Sequence, residues 1–597
     1  MQDRNLVDMF YHRAAKFGSR TRFRYCVNDR WRDVTWSELA QLVRHVAAAL
    51  LEVGVRRGDR VCLMSQTRAE WIEADLGILA AGGVSTAIYP SNTPDETAFI
   101  LWNAGARVVF VENPAQFDKI RQIQREGFVL PHVEIPPTAD GAPQPSPGDV
   151  VKVAIDKIIV FDGEGDGGAD VMSFAAMAAL GSRALAAHQS ELRRVAEEVT
   201  RDEIATIVYT SGTTGPPKGV VQTHGNHLAM FEMTSTDVGL FEEGDVDFLF
   251  LPLAHSFARM QEYMAIYMGS TTAIARSLDT VLDDLQQARP NIIPAVPRVY
   301  EKIFARIQSQ AESSVLRKRV FSWALQTGRR ISRHVQAREP VPLLLAAQGK
   351  IAHRLVFKKL HDKLGGRVKY FVSAGAPLSR EVAEFFHAAG LLILEGYGLT
   401  ETTPALCLNR PNDYRFGTVG RPLSQVEVRL AQDGELLARG PNVAKGYYRR
   451  PEATKEAWDD EGWFHSGDIA EIDSDGFVRI VDRKKELIIT AGGKNVAPQN
   501  VENVIKTSPF ISGALLCGDR KPYCVVLVTL SVDEITAWAE KQGKAGHTLE
   551  QLGRDPDVVR LIEREIEARK AKLASFETPK KFAIVYPDFT QETGELT

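Results

Sequence analysis

The sequence predicts an α/β fold. A large N-terminal domain of parallel-rich sheets covered by helices is followed by a small β-barrel-like subdomain and a small C-terminal α+β domain. Three observations predict this. Helical and strand-like apolar spacings alternate through the first half, short strand-like pieces between turn signals begin near Pro404, and a mixed pattern resumes after Asp482. A chain of 597 residues also exceeds what one hydrophobic core supports. The expected boundaries are 1–481 and 482–597, with the β subdomain at about 404–481 and a basic helical insertion at about 301–363.

Glu38 to Val53 carries apolar residues at helical spacing, and Arg60 to Met64 reads as a buried strand. Trp71 to Ala81 is again helical, Val108 to Val111 is a second strand, and Lys157 to Phe161 a third. Pro131 to Gly148, rich in Pro, Gly and Asp, reads as a surface excursion. Val426 to Leu430, Glu435 to Leu437 and Phe477 to Val481 are short strands set off by the turns Asp433-Gly434 and Asp475-Gly476. The insertion holds 14 Lys/Arg against four Asp/Glu. It fits either a solvated helical face or a patch for an anionic membrane surface.

Composition excludes several classes. Lys+Arg 72 against Asp+Glu 76 leaves a net charge of -4, unlike a dedicated nucleic-acid binder. Five scattered cysteines without a CxxC pair argue against a disulfide framework or a zinc site and fit a reducing cytoplasm. Met1 to Asn5 is polar, so no secretory signal is expected. Leu76 to Tyr89, the most apolar stretch, falls short of the roughly 20 residues that span a bilayer. A cytoplasmic protein is expected, with peripheral contact to the inner face of a membrane through the insertion. Oligomeric state is not encoded in any readable pattern.

The strand Ile204 to Tyr209 runs into Thr210-Ser211-Gly212-Thr213-Thr214-Gly215-Pro216-Pro217-Lys218-Gly219. Glycines let backbone N–H groups approach phosphate oxygens, hydroxyls add donors, and Lys218 adds charge. Gly219 after the lysine, rather than Ser or Thr, distinguishes this loop from a Walker A loop. The string resembles the signature loop of the adenylate-forming superfamily: acyl-CoA synthetases, luciferases and peptide-synthetase adenylation domains. The likeness extends over essentially the whole chain through further motifs in the family's order.

That resemblance assigns roles. Leu251 to Phe257 resembles the motif whose histidine, here His255, borders the acyl site. Gly375, Ala376 and Pro377 match the turn supporting adenine. Glu395-Gly396-Tyr397-Gly398-Leu399-Thr400-Glu401 resembles the central nucleotide motif. Within it Tyr397 is expected to pack on adenine, Thr400 to contact the α-phosphate or acyl oxygen, and Glu401, with Thr213, to hold Mg²⁺. Asp468 is expected to bind the ribose hydroxyls, with Arg483 as a second ribose contact. Asp482 is the implied pivot of a mobile C-terminal lid, and Gly492, Gly493 and Lys494 face the implied coenzyme A channel. Lys218, Thr400, Glu401 and His255 are the expected catalytic residues. The insertion after Val296 to Lys302, with Phe321-Ser322-Trp323-Ala324, is similar to long-chain fatty acyl-CoA synthetases, as is Phe576 to Phe582.

The implied reaction consumes ATP, a fatty acid and coenzyme A, with Mg²⁺ as cofactor. The fatty carboxylate attacks the α-phosphorus, pyrophosphate leaves, and coenzyme A displaces AMP from the acyl-adenylate. Alternatives are a fatty acyl-AMP ligase, another acid:CoA ligase, or a lipid-binding or uptake protein with a vestigial ligase site. One departure stands out. The family's catalytic lysine follows a stretch like Gly-Glu-Leu-Thr-Pro-Thr-x-Lys, whereas this sequence ends at Gly594-Glu595-Leu596-Thr597. The lid is therefore expected to be truncated before that lysine, with weak adenylation, and neither Lys580 nor Lys581 takes its place.

Overall fold

The computed structural model describes residues 3–133, 145–210, 215–277, 279–311, 314–490, 495–571, 573–574 and 577–589. Ser211, Gly212, Thr213, Thr214, Gly492, Gly493, Lys494 and the stretch from Gly594 to Thr597 lie outside the described residues.

Two large sheets form the N-terminal body. The seven-stranded sheet runs Lys218–Thr223, Ile204–Thr210, Val84–Ile88, Arg60–Met64, Val108–Val111, Lys157–Val160 and Val171–Ser173. Every pair is parallel except the first, whose short return folds the edge strand back antiparallel. Burial on both faces explains the unbroken apolar runs of its central strands. The nine-stranded sheet has a parallel centre: Leu392–Tyr397, Tyr370–Ser373, Ile292–Ala295, Val246–Leu249, Thr271–Ile274 and Thr21–Val27. Antiparallel partners close both of its ends.

Helices cover both sheets. Thr35 and Glu38 form a capping box that starts Trp36–Glu52, whose buried face carries Leu39, Val43, Val46 and Leu50. This helix packs on Phe174–Glu198 at close range. A Cβ at Gly181 would lie 1.7 Å from the His45 carbonyl oxygen, so the crossing requires glycine. Phe128–Val129 and Val150–Val151 pair antiparallel and form the stem of the expected surface excursion.

The small β subdomain differs from expectation in two ways. Cys407–Leu408 pairs with Leu392–Tyr397, and Arg421–Pro422 with Cys407–Leu408, so both extend the nine-stranded sheet. The small sheet then comprises only Glu427–Leu430, Glu435–Arg439, Phe464–Ile472 and Val478–Arg483, all antiparallel. Among the described residues it is open rather than barrel-like, because its first and last strands do not pair.

Beyond Asp482 the chain builds a separate core. Ile511–Cys517, Val525–Leu530 and Lys581–Ile584 form a three-stranded sheet against helices Pro498–Ile505, Val532–Lys541 and Pro556–Lys570. Val501, Val526, Val528, Ile535 and Ile562 are fully buried there and belong to none of the N-terminal clusters. The basic insertion is helical as expected: Pro297–Ala311, Val315–Gln336, Leu343–Ala352, a π-turn His353–Phe357, and Lys358–Lys363. Gly328 lets it press on helix Arg380–Ala388, where a Cβ would lie 2.1 Å from the Ala388 carbonyl oxygen. No helix among the described residues is long and apolar enough to cross a membrane.

Candidate active site

The strand Ile204–Thr210 leaves the sheet and returns as Lys218–Thr223, so Thr210 and Lys218 face each other across the hairpin. Gly215 within the return has φ +102°, a conformation open to glycine. The returning strand is bound to a distant segment: Tyr448 N donates to Gly219 O (2.7 Å) and Val221 N to Gly446 O (3.0 Å). Tyr447 thereby comes over the hairpin, with Lys218 Nζ 5.0 Å from its ring centroid. Its hydroxyl donates to Glu401 Oε1 at 2.8 Å. Gln222 Nε2 donates to the Thr400 carbonyl at 2.8 Å. The hairpin of one sheet is thus stapled to the Thr400-Glu401 turn of the other.

That turn stands at the carboxyl end of the parallel strand Leu392–Tyr397, where open α/β sheets bind ligands. Thr403 just after it has φ +53°, a strained conformation for a β-branched residue. The surroundings hold it. Thr402 Oγ1 accepts from Leu399 N (2.9 Å), and buried Asn442 donates to the Thr402 (2.9 Å) and Ala405 (2.6 Å) carbonyls. Gly398 is required by the same fold-back, since a Cβ would sit 1.7 Å from the Pro404 carbonyl oxygen.

A second cluster forms where the small sheet meets this strand. Asp468 and Arg483 are cross-strand partners, with Nε 2.9 Å from Oδ1. The Tyr397 hydroxyl donates to Asp468 Oδ2. Burial pushes the Asp468 carboxyl up, opposed by Arg483 and the Tyr397 hydroxyl. Burial also raises the Tyr397 phenol well above its usual value, reinforced by Asp468.

A cleft of about 1170 Å³ opens here. It is lined by Gly375, Ala376, Pro377, Glu395, Gly396, Tyr397, Gly398, Asp468, Asp482 and Arg483, together with Gln499 and Asn503 of the C-terminal domain. Gly375 turns with φ +86°. Glu395 is buried, its Oε1 has no hydrogen-bond partner, and burial pushes its carboxyl up to about 8 against donors at Leu378 and Gly417. Thr210, Gly215, Lys218, Thr400 and Glu401 lie outside the cleft's lining but join it through Leu399 and the Gln222 and Tyr447 contacts. His255 is set apart. It caps helix Ser256–Met268, its Nδ1 accepting from Phe257 N at 3.1 Å, and the enclosing protein lowers its pKa.

Glu401 suits a hard cation. Tyr447 fixes one carboxylate oxygen, and the other makes no hydrogen bond among the described residues. The three-ligand group Asp3, Asp8 and His12 lies elsewhere, with Arg4 and Arg13 already paired to its carboxylates. Tyr447, Gln222 and Asn442 were not legible in sequence. Tyr447 and Asn442 lie in Gly-containing turns with no chemical signature, and each reaches the site through long-range pairing.

Residues 10–448 match the AMP-binding enzyme family, and residues 485–574 match the AMP-binding enzyme C-terminal domain. The chain is 35% identical over 573 residues to the long-chain-fatty-acid–CoA ligase FadD15 of Mycobacterium bovis, covering 96% of this chain and 90% of that protein. It is 32% identical to the peroxisomal long chain acyl-CoA synthetase 7 of Arabidopsis thaliana, covering 94% and 78%. Its fold is that of the anthranilate CoA ligase AuaEII in complex with anthranoyl-AMP, with TM-score 0.70, 20% identity and coverage of 100% and 96%. The o-succinylbenzoate coenzyme A synthetase of Bacillus subtilis in complex with ATP and magnesium ion is likewise similar, with TM-score 0.63, 20% identity and coverage of 97% and 95%. With both the large and the C-terminal domain matched along its length, the chain belongs to the AMP-binding enzyme family.

Proposed function

We propose that the protein is an AMP-forming long-chain fatty acid:CoA ligase working in two steps. The observation that carries this reading is the meeting of the Tyr397-Asp468-Arg483 cluster and the Lys218-Tyr447-Glu401 cluster around one strand end. Asp468 accepts from vicinal ribose hydroxyls, Arg483 holds its charge in place, and Tyr397 presents a ring to adenine. We assign phosphate binding to Lys218 and the segment Thr210, Ser211, Gly212, Thr213, Thr214 and Gly215. Thr400 orients the acyl oxygen. Bound at Glu401, with Thr213 as a further oxygen, Mg²⁺ would neutralise charge on the phosphates. The fatty carboxylate displaces pyrophosphate at the α-phosphorus, and the thiol of coenzyme A then displaces AMP. We place His255 and the Gly492-Gly493-Lys494 element on the acyl and thiol approaches. The basic helical segment is assigned to a peripheral contact with an anionic membrane.

Thioester formation from acids of graded length, with ATP and coenzyme A, tests the reading. Thioester and AMP in equal amounts, best with long acids, are expected. Pyrophosphate release with acyl-AMP accumulating whether or not coenzyme A is present would assign an acyl-AMP ligase, and no ATP consumption would assign a lipid-binding protein.

Glu395 gives the site a pH signature. With its carboxyl pushed up to about 8, it is neutral at pH 7 and can donate a hydrogen bond to an adenine ring nitrogen. Nucleotide affinity should therefore fall as pH rises through about 8, where ionisation removes the donor. Glu395→Gln keeps a donor at every pH. ATP binding by calorimetry from pH 6 to 9 should thus flatten in the variant, and an unchanged slope would remove Glu395 from the adenine contact.

A further inference from the structure

The outer face of the run from Leu343 to Lys358 has no role in the fold. Leu345, Ala352 and Phe357 turn inward, where Ala352 and Phe357 pack with Ala324 and Ala389. On the opposite side Leu343 is 91% exposed and Leu344 74%, and Ile351 and Leu355 are more than half exposed at 53% and 57%. Spacings of 343, 344, 347, 351 and 355 place these residues, with Ala347, on one helical stripe. Lys350, Arg354 and Lys358 fall on the same stripe.

An exposed apolar stripe marks a contact surface, and its charge identifies the partner. Residues 343–363 contain five Lys/Arg and a single acid, Asp362, which pairs with Lys358 at 2.8 Å. Lys350, Arg354 and Lys359 make no ion pair among the described residues. A second copy would set this basic stripe against itself, which like-charge repulsion opposes. No helix among the described residues can span a bilayer, so a surface-lying contact is the available mode.

We infer that Leu343, Leu344, Ile351 and Leu355 insert into the headgroup boundary of an anionic bilayer while Lys350 and Arg354 meet its phosphates. This deepens the membrane contact of the proposed function and rests on it only for its purpose, the capture of acid dissolved in the membrane. Leu343 and Leu344 open the helix immediately after Pro342, so they form a leading wedge. Lys350 and Arg354 follow them about two and three turns later.

Sedimentation of the full chain with vesicles tests this, using phosphatidylcholine alone or mixed with phosphatidylglycerol. Binding should be confined to the anionic vesicles and weaken with salt. Leu343→Glu with Leu344→Glu should weaken it by roughly 100-fold, and Lys350→Gln with Arg354→Gln by about 30-fold. Both variants should keep the parent melting temperature and the parent rate of thioester formation from albumin-delivered acid, while losing rate on acid presented in anionic vesicles. Parent-like vesicle binding by either variant overturns the inference. So does a parent dimer that Leu343→Glu with Leu344→Glu dissociates, which would make a second copy the occupant. Because ligation of albumin-delivered acid is read separately, its absence in the parent would count against the ligase reading and not against this surface.

Discussion

Glu401→Gln is expected to slow acyl-adenylate formation by about 100- to 1000-fold, the range for removing one preorganised group from a charge-stabilising site. The substitution is nearly isosteric, and the Tyr447 hydroxyl can donate to the amide oxygen as it does to Glu401 Oε1. The turn built by Thr402 and Asn442 rests on other groups, so melting should be unaffected. On the proposed reading, what is lost is one negative charge beside the phosphates, and with it affinity for Mg²⁺. Tyr447→Phe isolates the other half of the arrangement: charge remains but its orientation loosens, with a loss of about tenfold. ATP–pyrophosphate exchange measured across a magnesium titration separates the two. The glutamine variant should fail to reach the parent rate at any magnesium concentration, whereas the phenylalanine variant should approach it. Exchange at the parent rate by Glu401→Gln would remove Glu401 from the proposed metal site.

The fold was legible where burial is complete. Arg60–Met64 and Val108–Val111 sit where their unbroken apolar runs put them, because parallel strands covered on both faces need no polar alternation. Cys407–Leu408 and Arg421–Pro422 were not legible, since two residues carry no periodicity and their pairing partner lies in the preceding large sheet. That pairing is also why the small β subdomain begins later than its turn pattern suggests. Thr21–Val27 and Arg30–Thr35 are similar: a polar hairpin joins the nine-stranded sheet only through Thr271–Ile274.

The site was legible wherever its chemistry is contiguous. Tyr397, Asp468 and Arg483 stand in short motifs, and the small sheet's register brings the last two together. Tyr447 shows the limit. A tyrosine after Gly446 has no chemical signature, and only the bridge between Val220 and Tyr447 carries its hydroxyl to Glu401. Glu395 shows another: its motif was readable, but a carboxyl held neutral near pH 7 is a property of burial alone.

Asp482→Pro is expected to slow the thioester half-reaction by about 100-fold while leaving adenylate formation within about threefold of the parent. Asp482 is the last buried residue before the C-terminal core. Ile469 pairs with Asp482 and Ala470 with Ile480, so Val481 is an extra residue and the ladder is already broken beside the proposed pivot. The carboxylate binds both sides of that break, accepting from Arg483 N at 2.7 Å and from Gln499 N at 3.3 Å in the first turn of helix Pro498–Ile505. A rotation of the C-terminal domain must change the dihedral angles here and release Gln499. Proline fixes φ near −65° and so opposes the rotation itself. Asp482→Ala keeps rotational freedom but drops the bond to Gln499, and both half-reactions should then change by less than about tenfold. Single-turnover assays, one from acid and ATP and one from supplied acyl-adenylate and coenzyme A, distinguish these cases. Equal losses in both half-reactions of the proline variant would make Asp482 a structural clamp and move the pivot elsewhere.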